Sequence, residues 1–210
     1  MTGKTTLTEL KAREREARVN LILDAAERVF ATKPFDSVSM REIADEAGMA
    51  TSSIYTYFPH QETLFVEACV RDHKNLMSEI MESLKDGESM NLSEIINTYI
   101  DFYARNIAFF RMMTLFMSKG DLSAESMEKL NDIIRQILDQ FDKVFSETIY
   151  GIKTRYLSHF LFAALNGIVV TFRKFPGRSD DDIISHMKKL GTILEEMIVS
   201  MNEKNSLSDN

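Results

Sequence analysis

The sequence predicts an all-α protein, with a three-helix, helix-turn-helix domain at the front and a longer helical domain behind it. Three observations carry this. Chain breakers are scarce, eight Gly and three Pro in 210 residues. Apolar residues recur at i, i+3, i+4 and i+7 from Leu21 to Met201. No period-two alternation persists long enough to make a strand. The composition, 44% hydrophobic and 27% charged, suits a packed core and excludes disordered and collagen-like chains.

In chain order, residues 1–18 read as a polar, mixed-charge flexible arm. A first helix follows, with Leu21, Ile22, Ala25, Ala26, Val29 and Phe30 in one stripe, and stops near Pro34. Ser39-Met40-Arg41-Glu42 has the S-x-x-E form of a capping box and opens a short helix to about Ala47. Gly48 is placed to take the left-handed turn, and a second short helical segment begins at Thr51. These helices make residues 19–60 a helix-turn-helix domain. Beyond Pro59 a long helix carries an apolar stripe from Leu64 to Leu84. Asn91, Ser123 and Ser179 are expected N-caps of later helices. Tyr156 to Phe172 is apolar nearly all round and is expected to be covered on every side; it falls short of the ~20 residues that span a bilayer. The second domain is assigned to residues 61–202, and 203–210 to a loose polar tail.

Net charge narrows the chemistry. At −7 the chain does not suit nucleic acid binding over its whole surface, so any DNA contact must be local. The lone Cys69 forms no internal disulfide, no Cys/His pair has zinc spacing, and the N-terminus has no signal-like apolar run. A cytoplasmic setting with no metal and no cofactor is therefore expected. The chain lacks G-x-G-x-x-G, a P-loop, H-E-x-x-H and G-x-S-x-G, so no enzyme activity is expected.

The front segment has further structure. Ile22-Leu23-Asp24-Ala25-Ala26, Val29-Phe30, Phe35, Val38 to Ala44, Ala47-Gly48-Met49, Ile54 to Phe58 and Glu62 to Phe65 together resemble the DNA-binding domain of the TetR family of bacterial regulators. The resemblance covers under a quarter of the chain. It implies a recognition helix at Thr51–Tyr57 and, in the helices behind, an effector-binding and dimerisation domain. It also implies a homodimeric, ligand-responsive regulator, a repressor more readily than an activator, on a palindromic operator with half-sites ~34–36 Å apart. Three positions depart from the family pattern: Pro34 replaces a glycine, and Thr51 and Gln61 replace lysines. Residues 1–58 hold eight Lys plus Arg against nine Asp plus Glu. DNA contact must then lean on hydroxyls and helix-end amides more than on phosphate charge.

For DNA the candidates are Ser39, Arg41, Thr51, Ser52, Ser53, Tyr55, Thr56, Tyr57 and Gln61. The same hydroxyls equally suit a solvated surface helix. Arg13, Arg15 and Arg18 read as a solvated mixed-charge arm, with backbone or minor-groove tracking as the alternative. For an apolar or aromatic effector the candidates are Tyr103, Phe109, Met112, Met113, Phe116, Met117, Phe141, Phe145 and Phe162, with Asn106, His159 and Asn166 as polar anchors. Ordinary core packing explains each of them alone. Phe160, Leu161, Ala164, Gly167 and Ile168, with Leu190, Gly191, Leu194, Met197 and Ile198, are the expected four-helix dimer seam. A helical lipid or small-molecule carrier, or an interaction module without sequence-specific DNA binding, is the competing class.

Overall fold

The computed structural model describes residues 6–83, 91–119, 122–145 and 152–208, and every regular element among them is helical. Helix α1 (Leu7–Thr32) takes in most of the expected arm. Its start is a closed capping box: the Glu9 N–H donates to Thr6 Oγ1 (3.2 Å), and the Thr6 N–H donates to the Glu9 carboxylate (2.7 Å). The T-x-x-E at Thr6–Glu9 was the available signal. What hid it is the lack of an apolar stripe, since every side chain from Leu7 to Arg18 is exposed. At the other end, Pro34 pushes Lys33 into extended backbone (φ −127°, ψ 151°), which closes α1 without a left-handed residue. A 3₁₀ turn, Phe35–Ser37, then leads to α2 (Met40–Ala47) and α3 (Thr51–Tyr55).

The remaining helices are α4 (Gln61–Ser83), α5 (Leu92–Arg105), α6 (Ile107–Lys119), α7 (Ala124–Asp142), α8 (Thr154–Phe172) and α9 (Asp180–Ser208). The expected caps are present. Asn91 and Glu94 form a reciprocal box at 2.9 Å each way. Ser123 accepts from Ser126 N–H (3.3 Å), and Ser179 from Asp182 N–H (3.2 Å). Helix α9 runs on through the expected polar tail as far as Ser208.

The chain divides into two units, and the boundary is not at residue 60. The first comprises Met1–Asp72 and Ile107–Leu130, the second His73–Asn106 and Asn131–Asn210. In the first, α1 packs on α2 and α6. Ile22, Ala25, Ala26, Ile43, Ala44, Ile54, Leu64 and Phe65 are almost wholly buried. Phe30, Phe35 and Phe65 form a trio with centroids 5.0–5.9 Å apart. Arg111 of α6 donates to the Ala31 carbonyl near the end of α1, one of the orphan acceptors a helix C-terminus leaves.

In the second unit α5 packs on α8 and α9. The expectation that α8 is covered on every side is corrected: Leu157, Ser158, Leu161, Leu165 and Val169 are buried, while Tyr156, Phe160 and Val170 are exposed. By length and composition α8 is the one helix among the described residues that would suffice to cross a membrane. Its buried side is taken up by the packing just described. Gly191 is needed where α9 meets α5, because a Cβ there would stand 2.7 Å from Ile96 Cγ2 and 3.1 Å from Ile100 Cδ1.

Candidate nucleic-acid interface

The α2–α3 pair is set by short-range chemistry. The Glu42 N–H donates to Ser39 Oγ (3.2 Å), while the Ser39 N–H and hydroxyl donate to Glu42 Oε2 at 3.0 and 3.2 Å. Lys33, foremost, and then Ser39 hold the Glu42 carboxyl below its usual range. The Lys33–Glu42 ion pair and Arg28–Glu46 at 2.5 Å tie α2 to α1. Gly48 ends α2 in the left-handed region (φ 65°, ψ 32°), and the Met49 N–H returns to the Ala44 carbonyl at 2.9 Å. Ile54 and Phe58 turn inward and are buried. This anchorage fixes which side of α3 faces out.

Ser52, Tyr55 and Thr56 are exposed, with Tyr55 half open at 50%, while Thr51, Ser53 and Tyr57 are half-buried. The Thr56 hydroxyl also reaches back to the Ser52 carbonyl at 3.3 Å. Arg41 projects into solvent, 4.0 Å from Asp45. Ser39 sits at the N-terminus of α2. Gln61 departs from its expected outward role: its amide donates to the Phe35 carbonyl at 2.8 Å and so ties the start of α4 to the 3₁₀ turn. Glu62, one residue on, accepts from the Ser123 N–H (3.0 Å) and hydroxyl (2.5 Å), which hold its carboxyl below the usual range. The helix that follows the outward face is thereby held at its first turn. Neither tie is legible in the sequence, nor is the contact of Arg15, named above as part of a solvated arm, whose guanidinium lies 5.2 Å from the Tyr57 ring centroid.

The effector candidates divide between the units. Phe109, Met112 and Met113 are buried in the first. Phe116 and Met117 fall outside the residues whose side chains are described. In the second unit Tyr99 stacks on Tyr103 (4.4 Å) and meets Phe141 (5.8 Å) and Phe162 (6.4 Å) edge-on. Phe145 is buried. His159 is exposed on α8, so it is not an interior anchor. Asn106 and Asn166 use their amide N–H groups on their own helices, donating to the Phe102 (2.9 Å) and Phe162 (2.7 Å) carbonyls.

Unanticipated interior polar groups include Tyr99 and His73. The Tyr99 hydroxyl is wholly buried beside Tyr103 and Asn166, without a well-aligned hydrogen bond among the described residues, and burial pushes its pKa well above the ordinary phenol value. His73 shares a 2.9 Å hydrogen bond with Gln136 through Nε2, and its Nδ1 has no partner among the described residues. Both sit on apolar stripes, where periodicity marks burial but not polarity.

Of the dimer-seam candidates, Ala164, Gly167, Ile168, Leu190, Leu194 and Met197 line a surface groove of about 440 Å³ on α8 and α9, together with Ile193, which had not been anticipated. Phe160 is exposed on α8. Leu161, Ile198 and Gly191 are corrections: all three are buried within the chain, and Gly191 serves α5–α9 contact.

Residues 22–68 match the model of bacterial regulatory proteins of the tetR family. An uncharacterised HTH-type transcriptional regulator of Mycobacterium tuberculosis is 39% identical over 77 residues, 37% of this chain and only 38% of that protein's length. The fatty acid metabolism regulator protein of Bacillus subtilis is 24% identical over 161 residues, 72% of this chain and 81% of that protein. Among solved structures, the transcriptional regulator FadR from Bacillus subtilis, in complex with stearoyl-CoA, superposes with a TM-score of 0.70 at 21% identity, over 83% of this chain and 96% of that one. The matched residues take in the buried end of α1, the capped α2, the glycine turn, α3 and the start of α4, and over them the chain is similar to the tetR family of bacterial regulatory proteins.

Proposed function

We propose that the chain is a ligand-responsive transcriptional regulator that acts as a homodimer, binds a palindromic operator through α3 and represses until an apolar effector releases it. The observation that carries this reading is the outward hydroxyl face of α3. Ser52, Tyr55 and Thr56 are presented by a five-residue helix whose other side is anchored by Ile54 and Phe58 and whose approach is set by Gly48. Side chains of this kind donate to and accept from base edges and phosphates in a major groove, and threonine methyls meet thymine methyls.

The effector of this reading is a fatty acyl thioester of coenzyme A. Two observations favour it: the aromatic interior around Tyr99, Tyr103, Phe141 and Phe162 suits an acyl chain, and a structural relative was solved with stearoyl-CoA. Helix α4 is one continuous element from Gln61 to Ser83, with His73 in its second half. Ligand that prefers a shifted position of that half moves the first turn, next to α3, and a coupling of ~1–3 kcal/mol lowers operator affinity several-fold to about a hundredfold. Dimerisation is assigned to the exposed apolar face of α8 and α9, where Phe160, Val170, Ile193 and Met197 are each more than half open.

The test is selection of bound duplexes from random DNA by the delipidated chain, followed by titration with palmitoyl-CoA and, as a control, free coenzyme A. A palindrome should be enriched and then released by palmitoyl-CoA alone. Tyr55→Ala and Thr51→Ala should each weaken binding by about 1–3 kcal/mol with the oligomeric state unchanged. Enrichment of no duplex at low salt would end the reading.

A further inference from the structure

On α1 the stripe that is apolar at Ile22, Ala25 and Val29 does not stop where the core does. At about 100° per residue, Lys11, Arg15 and Arg18 fall within about 60° of one another and on the same side as that stripe, whereas Arg13 lies about 150° away. The face that buries itself among α2 and its neighbours thus turns basic as α1 runs on past them. The structure supplies an independent check on this phase: Arg15 lies over the ring of Tyr57, two residues beyond the end of α3. Arg18, hydrogen-bonded to Glu14 at 2.9 Å, is within electrostatic reach of the same phenol. All three cations are exposed.

The surroundings explain what such a stripe is for. The first positions of α3 and α4, Thr51 and Gln61, bring no charge, and Gln61 is turned inward. A duplex nevertheless demands cations for its phosphates, which supply most of the sequence-independent affinity. An arginine stacked on an aromatic ring is held in place yet keeps its N–H edge for a phosphate.

We infer that Lys11, Arg15 and Arg18 form a second DNA contact, a basic helical stripe that binds backbone phosphates of the duplex next to the stretch met by α3. The inference rests on the DNA-binding reading above, and it assigns α1 a role beyond supporting the helix-turn-helix.

The discriminating experiment compares charge neutralisation on opposite sides of one helix. The full chain is titrated against its selected duplex at several salt concentrations. Lys11→Gln/Arg15→Gln should lower affinity at least about tenfold and reduce the salt slope by about four, because a dimer loses four cations. Arg13→Gln should change affinity less than about twofold. Lys11→Arg/Arg15→Lys, which keeps the charge, should restore the slope even if the Tyr57 contact is loosened. Hydroxyl-radical protection flanking each half-site should shrink only in the neutralised double variant. Equal effects of Lys11→Gln/Arg15→Gln and Arg13→Gln, with wild-type binding intact, would overturn the stripe alone. Failure of the wild type to select any duplex would remove the reading and the stripe with it.

Discussion

Asp72 is buried on α4, one position after Arg71, whose guanidinium contacts Asp24 (2.8 Å), Glu27 (2.5 Å) and the Asn20 carbonyl (3.2 Å) of α1. Burial, and then the neighbouring Glu27 charge, push the Asp72 carboxyl up to about 8, with Arg71 opposing. The folded chain therefore holds a proton that the unfolded chain releases above about pH 4. This contribution to stability is complete below that pH and is lost as pH rises through 8. Asp72→Asn should flatten the dependence and leave the variant more stable than the wild type at pH 9, by about 1–3 kcal/mol. Urea melts at pH 5, 7 and 9 decide it; parallel curves for the two proteins would refute the assignment. Nothing in the sequence pattern announces this residue, because Asp72 occupies a stripe position one turn from Ala68 and Leu76, and a carboxylate there is legible only once Glu27 and Arg71 are seen beside it.

Two glycines test two kinds of helix termination and contact. Gly48 has open space around its missing Cβ, so Gly48→Ala incurs only the left-handed backbone cost, about 1–2 kcal/mol, and Gly48→Asn should lose less. Gly191→Ala meets Ile96 and Ile100 instead, and the overpacking should cost about 1–3 kcal/mol. Gly167 is open, and Gly167→Ala should leave the isolated fold unharmed or slightly stabilised. Thermal melts of the four variants separate these causes; equal losses at Gly167 and Gly191 would contradict the packing described. Gly48 was readable from sequence because a capped short helix followed by glycine and a new helical start is a local pattern. Gly191 was read as part of a seam between subunits, since sequence marks a close approach without saying which helix approaches.

For the assembly, the decisive residue is Met197, more than half exposed and on the rim of the α8–α9 groove. Met197→Glu should cost the single chain little, but it should weaken a dimer by several kcal/mol by placing an unpaired charge in an apolar seam. Sedimentation should show monomers with native helix content and operator affinity reduced at least about tenfold, because one reading head then acts alone. A stable dimer of the variant would move the interface elsewhere. Leu194, only 8% exposed, is the poorer probe, since a charge there disturbs the chain's own core.

Helix-start boxes at Ser39 and Asn91, the turn at Gly48 and the stop before Pro34 could all be read from the order of residues, because the bonds that make them span five positions or fewer, and the outward hydroxyls of α3 because Ile54 and Phe58 mark its inner side. The hidden face of α8, the inward turn of Gln61, the polar surroundings of Asp72, His73 and Tyr99, and the meeting of Arg15 with Tyr57 could not. Each depends on which surface of one helix lies against another far along the chain, and periodicity tells that a face is covered without naming its cover.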